Sequence, residues 1–244
     1  MVMQVRLQKL SMTKFTYFIL LFLLIISCGH NQLPVPLYYL SVTDWKVEGH
    51  DERFNLYEYN TGTSTDRFGN SNGAFYFDGT SASLGLSLNK KPHLNSPITI
   101  SWWYSIIDDP LFKDSMDAGN MIALVDTVQA IGLQFGFRAP GYRTKGLDVW
   151  NWGGATILEN QISKLNQWHH CVYVYDGHEH QFYLNGEPME MSDIKPQKGN
   201  PDFLLLGNYP GGTQFFKGSL DELRIYERAL SRNQILALLN MKKF

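Results

Sequence analysis

The chain has 244 residues, 44% of them apolar and 14% aromatic, with a formal net charge of −2. Charged residues make up only 18%, against roughly 25% in an ordinary soluble domain, which excludes a disordered chain and a coiled coil. No global basic field draws nucleic acid, and two cysteines exclude a disulfide framework and a cysteine-rich zinc site.

The first 28 residues carry Arg6, Lys9 and Lys14 and no acid. The bases precede the apolar run Phe15–Ile26, FTYFILLFLLII. This run is about half of what a membrane-spanning helix needs, so it reads as the apolar region of a secretory signal. It ends in Ile25-Ile26-Ser27-Cys28-Gly29, which resembles a bacterial lipobox. That resemblance implies residues 1–27 as a signal peptide, cleavage before Cys28, and acylation there as a stable membrane anchor. A plain signal peptide and an uncleaved anchor are the alternatives. Residues 28–36, with Asn, Gln and two prolines, read as a tether. Cys171 sits in an apolar strand pattern and reads as a buried thiol.

From about Leu37 to Tyr226 the pattern has period two, broken by Gly, Asn, Asp and Pro, as strands and turns require. Ile98, Ile100, Trp102, Tyr104 and Ile106 share one strand face, as do Ile131, Leu133, Phe135 and Phe137. Leu147 and Val149 alternate with Asp148, Trp150 and Trp152, and Val172 and Val174 with Cys171, Tyr173 and Tyr175. Asn185-Gly186, after Phe182 and Leu184, is a hairpin signal, because a type I′ turn needs positive φ at both positions. Phe203–Leu206 and Leu220–Tyr226 read as the last strands. Ser231 and Gln234 form a capping box before Ile235, Leu236, Leu238 and Leu239, which predicts one short C-terminal helix. About a dozen strands and one helix predict an all-β, two-sheet antiparallel sandwich over 37–244.

Four ordered patterns carry a family resemblance. They are Asp66–Gly79, DRFGNSNGAFYFDG; the strand Ile98–Ser105, ITISWWYS; Gln167–Gly177, QWHHCVYVYDG, running on to Asn185-Gly186; and Phe216–Ser231, FKGSLDELRIYERALS. In order and spacing the chain resembles the bacterial LamG-like jelly-roll domain of the concanavalin A-like lectin/glucanase superfamily. The resemblance implies two packed sheets, one of them concave, location outside the cytoplasm, and often a carbohydrate-binding or adhesive role. It also implies a structural Ca²⁺ that ties an early loop to the last strand, with Asp66, Asn70, Asn72 and Asp221 as candidates. The alternative for that loop is an Asx-turn without metal.

Catalytic patterns are missing from the sequence. Glucanases of this fold resemble one another in a Glu-x-Asp-x-x-Glu strand, which does not occur here. Asp221 and Glu222 are adjacent in a strand, so they point to opposite faces and do not flank one sugar bond. His169 and His170 are separated in the same way. His178 and His180 lie in or beside the Asp176-Gly177 turn without a third ligand. Segments 131–138, 147–152, 168–175 and 180–184 read as a meander of neighbours. The sides opposite their apolar faces offer Gln134 and Arg138, Trp150 and Trp152, Tyr173 and Tyr175, then Gln181 and Tyr183 as a glycan-binding set. Flat rings meet the C–H face of a sugar, and amides and guanidinium meet its hydroxyls. Packing of those rings under loops is the alternative.

The expectation is therefore a noncatalytic module that binds a glycan or a cell-surface protein. The expected setting is exported and lipid-anchored at Cys28, in the outer membrane of a Gram-negative cell. The competing readings are a divergent glycoside hydrolase or polysaccharide lyase, and a protein-binding scaffold or adhesion component.

Overall fold

The structure, a computed structural model, describes residues 32–42, 56–107, 118–129, 131–138, 146–151, 154–159, 164–190 and 199–242. Cys28, Trp152 and the apolar run 15–26 lie outside them. No helix among the described residues is long and apolar enough to cross a membrane. Two units emerge: Val35–Leu230 with Lys242–Phe244, and Met1–Pro34 with Ser231–Met241.

The larger unit is two antiparallel sheets, the two-layer jelly-roll architecture expected from the sequence. The eight-stranded sheet runs β13 (Glu187–Met189), β12 (His180–Leu184), β11 (Trp168–Tyr175), β6 (Ile98–Ile106), β15 (Lys217–Tyr226), β4 (Ala74–Asp78) and β3 (Gly62–Ser64). β1 (Tyr38–Leu40) also pairs with β15, along its second half. The seven-stranded sheet runs β10 (Gly154–Glu159), β9 (Gly146–Asn151), β8 (Ile131–Arg138), β7 (Ala118–Asp126), β14 (Phe203–Leu206), β5 (Ser83–Ser87) and β2 (Leu56–Tyr59).

The predicted alternation builds the core. Ile98, Ile100, Trp102, Tyr104 and Ile106 are all buried in it, with Leu133, Phe135, Phe137, Leu147 and Val149 from the other sheet. The layers meet in aromatic contacts: the Phe135 ring lies 4.8 Å from Trp102 and 5.3 Å from Tyr173. Truncating such a ring costs about 3–5 kcal/mol. β6 is central and buried on both faces, so its second face needs internal partners. Thr99 Oγ1 donates to the Arg228 carbonyl and accepts from Leu230 N, and Ser101 Oγ bonds His170 Nε2. At the β12–β13 hairpin Asn185 and Gly186 both have positive φ, +52° and +83°, as a type I′ turn demands.

In the smaller unit, Ser231 caps α1 (Arg232–Leu239) and the reciprocal capping box with Gln234 is formed. Gln234 Nε2 also donates to the Gln32 carbonyl at 3.0 Å. One glutamine thus closes the helix start and ties it to the tether.

Candidate functional site

The outer face of the seven-stranded sheet carries a recess lined by Gly119, Asn120, Gln134, Gly136, Asp148, Trp150 and Gln214. Period two places it there. Leu133, Phe135, Leu147 and Val149 point into the core, so Gln134, Gly136, Asp148 and Trp150 point away from it. Register then sets two rows across the strands: Ala123–Gln134–Trp150 and Asn120–Gly136–Asp148. A bulge between Asn120 and Ile122 separates the rows on β7 and re-aims Asn120.

Gly136, between Asn120 and Asp148, is where the neighbouring strands pack too closely for a side chain. A Cβ there would sit 2.7 Å from Asp148 Oδ1 and 2.9 Å from the Gly119 carbonyl. The far wall is a loop pinned to the bulge: Asn120 N donates to the Gln214 carbonyl at 2.9 Å. That loop is a tight turn in which Tyr209 N donates to the Thr213 carbonyl at 2.8 Å. The turn holds the Tyr209 ring 5.9 Å from Trp150, with 32° between the planes. Two half-buried rings therefore lie at the recess, and its wall is polar. Asn120 is only 4% exposed. Its Nδ2 donates to Gln134 Oε1 at 3.1 Å, and its Oδ1 is buried without a partner.

The predicted glycan-binding residues divide between the sheets. Gln134 and Trp150 come together as adjacent register partners, and Arg138 closes β8. Tyr173, Tyr175, Gln181 and Tyr183 are on the other sheet, so the four segments are two hairpins and not one meander. The reason is pairing: β11 aligns along β6, while β9 turns back into β10. Tyr173 and Tyr175 are corrected from a binding face to the core. They pair with Ile100 and Ile98, which points their rings inward beside Cys171. Their hydroxyls are satisfied there, Tyr173 Oη by His180 Nδ1 at 2.6 Å and Tyr175 Oη by the Gly177 carbonyl. Burial pushes the Tyr173 phenol well above its usual range. Gln181 and Tyr183 are half-buried, and the Gln181 amide is spent on the carbonyls of Met189 and Phe182.

Asn120 and Gln214 are site residues that the sequence reading missed. The available signal was Gly136, because a glycine inside a strand marks a bulge or a close approach.

The residues proposed for calcium do not form a cage that fits the ion. Asp66 is 2% exposed. Its Oδ1 accepts from the N–H groups of Phe68 and Asn70, and its Oδ2 from Asn70 Nδ2. That is an Asx-turn, in which donors fill the positions a hard cation needs. Asn72 Oδ1 accepts from Thr63 Oγ1, and Asp221 Oδ1 from Glu222 N. No group of three or more His, Cys, Asp or Glu among the described residues is placed to hold a metal.

The histidines also have structural surroundings. His169 bonds the Lys164 carbonyl and Asn185. His180 is stacked on Tyr175, with centroids 4.5 Å apart.

Residues 78–236, more than half of the chain, match the family described as the Concanavalin A-like lectin/glucanases superfamily. No curated protein matches the chain by sequence. Among solved structures, domain 4 of AbnA is similar. AbnA is a GH43 extracellular arabinanase from Geobacillus stearothermophilus, and its domain 4 was solved in complex with arabinotriose. The match has 17% identity, covers 86% of this chain and 100% of that one, and has a TM-score of 0.60. The receptor binding domain of botulinum neurotoxin D is 13% identical, with 84% and 52% covered and a TM-score of 0.59. The binding domain of Paraclostridial Mosquitocidal Protein 1 is 16% identical, with 84% and 52% covered and a TM-score of 0.63. The chain spans about half the length of these two toxin domains. At such identities the likeness is one of fold.

Proposed function

The chain belongs to the Concanavalin A-like lectin/glucanases superfamily, and on that premise we propose that it is a noncatalytic carbohydrate-binding module. Its site is the outer face of the seven-stranded sheet. The observation that carries the reading is the Trp150–Tyr209 ring pair beside a recess walled by Asn120, Gln134, Asp148 and Gln214. A ring shelf takes the C–H face of a sugar, and amides and a carboxylate take its hydroxyls. Domain 4 of AbnA, a neighbour in fold solved in complex with arabinotriose, supports the same ligand class.

Two observations support the noncatalytic part. Among the described residues, Asp148 is the one acid that lines the recess, where glycoside hydrolysis uses a pair. Glu222 is engaged by Arg67 and Arg224. In the same proposal the protein is exported and anchored through an acylated Cys28 in the outer membrane of a Gram-negative cell.

The test is a glycan array probed with the wild type and with Trp150→Ala, both checked for folding by thermal melt. Loss of the stacking ring weakens glycan binding roughly tenfold or more. Unchanged binding by a folded Trp150→Ala defeats the site. Release of reducing ends that Asp148→Asn abolishes defeats the noncatalytic reading.

A further inference from the structure

We infer that Tyr57 and Phe203 form a second sugar platform on the same sheet face, so that the ligand is a linear, neutral polysaccharide held at both ring pairs. The inference rests on the glycan-binding reading of Trp150 and adds the class of ligand: an extended chain, not a single terminal sugar.

Strand register aligns the two pairs. One row of partners crosses six strands: Tyr57 on β2, Gly85 on β5, Leu205 on β14, Ala123 on β7, Gln134 on β8 and Trp150 on β9. Leu84, Leu86, Leu204 and Leu206 belong to the core. Their neighbours Gly85, Phe203 and Leu205 therefore face outward with Trp150, and Tyr57, directly opposite Gly85, shares that face.

The far end of the row carries rings in an arrangement like the first. The Phe203 ring lies across Gly85, where a Cβ would sit 2.6 Å from Phe203 Cζ. It comes 5.9 Å from the Tyr57 ring, with 43° between the planes. The Trp150–Tyr209 pair has the same 5.9 Å separation, at 32°. Tyr57 is 56% exposed and Phe203 is half-buried, so the pair presents ring surface to solvent, as stacking on the C–H face of a sugar requires. Between the pairs, Leu205 is half-buried while Ala123 and Gln134 are buried. The rings at the two ends are thus the parts of the row that a ligand grips.

Spacing decides the length of the ligand. Strands lie about 4.8 Å apart, so five steps along the row separate the pairs by about 24 Å of sheet. One strand spacing is close to the advance of one sugar unit in an extended chain, so a chain of about six units reaches both pairs. A trisaccharide reaches one. A chain already seated on Trp150 meets the second pair as an intramolecular event, which raises affinity without any change at the first. Charge decides the class. No residue of the row is charged at neutral pH, and Asp148 lies at the Trp150 end. A polyuronate finds no cation in the row and one carboxylate to oppose it.

The experiment titrates the full-length protein in detergent with cello-, xylo-, manno- and arabino-oligosaccharides, each from the disaccharide to the octasaccharide, and with the galacturonate octamer. In at least one neutral series the octasaccharide is expected to bind roughly tenfold or more tightly than the trisaccharide, at one chain per protein. Tyr57→Ala, at an exposed position, is expected to remove that gain and leave the trisaccharide unchanged. Gly85→Ala, which pushes on the end of the Phe203 ring, is expected to act in the same way.

Affinity that is level from the trisaccharide upward overturns the inference, and this wild-type comparison needs no variant. A gain with length that Tyr57→Ala leaves intact also overturns it, since that gain comes from the many registers a long chain has on one shelf. Equal weakening of short and long chains by Tyr57→Ala does the same, as does tighter binding of the galacturonate octamer than of every neutral one. Each of these results defeats this inference alone when Trp150→Ala still abolishes binding of the trisaccharide. Binding that Trp150→Ala leaves unchanged defeats the face itself, and no glycan binding at all defeats both.

Discussion

Arg67 Nε donates to Glu222 Oε2 at 2.9 Å, joining two residues 155 positions apart. Both side chains are under a tenth exposed. The guanidinium lies between the rings of Phe68 and Trp103, 3.8 and 4.2 Å from their centroids. The other carboxylate oxygen of Glu222 faces Arg224 at 3.5 Å. Glu222 also has φ +51°, at the bulge in β15. A bulky residue is strained there, and its ion pairs offset that strain. This pair ties the early loop to the last strand. Glu222→Gln keeps the shape but leaves two buried guanidiniums short of charge. It should destabilise by roughly 3–5 kcal/mol. Urea unfolding measures this, and a loss under about 1 kcal/mol, the range of an exposed pair, would show the pair to be decorative.

His170 should make stability depend on pH. Burial, followed by the nearby Arg224 and Arg67, holds its pKa down to about 3. The unfolded imidazole titrates near 6.5. Between those values the unfolded chain takes up a proton that the native chain refuses. The contribution is therefore complete above about pH 6.5 and lost as pH falls toward 3. The slope approaches roughly 1.4 kcal/mol per pH unit. Urea midpoints of the wild type should fall between about pH 6.5 and 4.5, and those of His170→Gln should change less. Parallel profiles would sink the assignment.

Chelation separates the two readings of the early loop. With three donors filling the Asp66 carboxylate, EDTA is expected to leave Tm unchanged. Asp66→Ala is expected to cost about 2 kcal/mol, because buried N–H groups lose a charged acceptor. A Tm that drops with EDTA and returns with added calcium would put a cation in the loop after all.

The anchor has a direct assay. Cells fed labelled palmitate should label the wild type and leave Cys28→Ala unlabelled, with the variant released from the membrane fraction. Equal labelling of both would place the acyl chain elsewhere or show a plain signal.

How much was legible varies with the distance over which a signal acts. Ile98 to Ile106 declared a core face because period two is a property of one strand alone. Ser231 and Gln234 declared the helix start because a capping box is a local motif within one turn. On β11, periodicity separated Tyr173 and Tyr175 from Val172 and Val174 but did not say which pair faces in. Rings and branched aliphatics both suit a core, and the partner strand β6 made the choice. Trp150 was legible as an outward ring opposite Val149. Asn120 was not, because its role comes from a bulge and from the distant loop at Gln214.

By itself the sequence determined the strands, their turns, the helix cap and the all-β class, since each depends on neighbours a few residues apart. Tertiary structure alone decided which sheet each hairpin joined. It moved two tyrosines into the core, gave the early loop an arginine–glutamate tie, and brought the Tyr209 ring to Trp150. The physical reason is that strand pairing and burial are contacts between distant segments, and a local pattern permits several such pairings without selecting one.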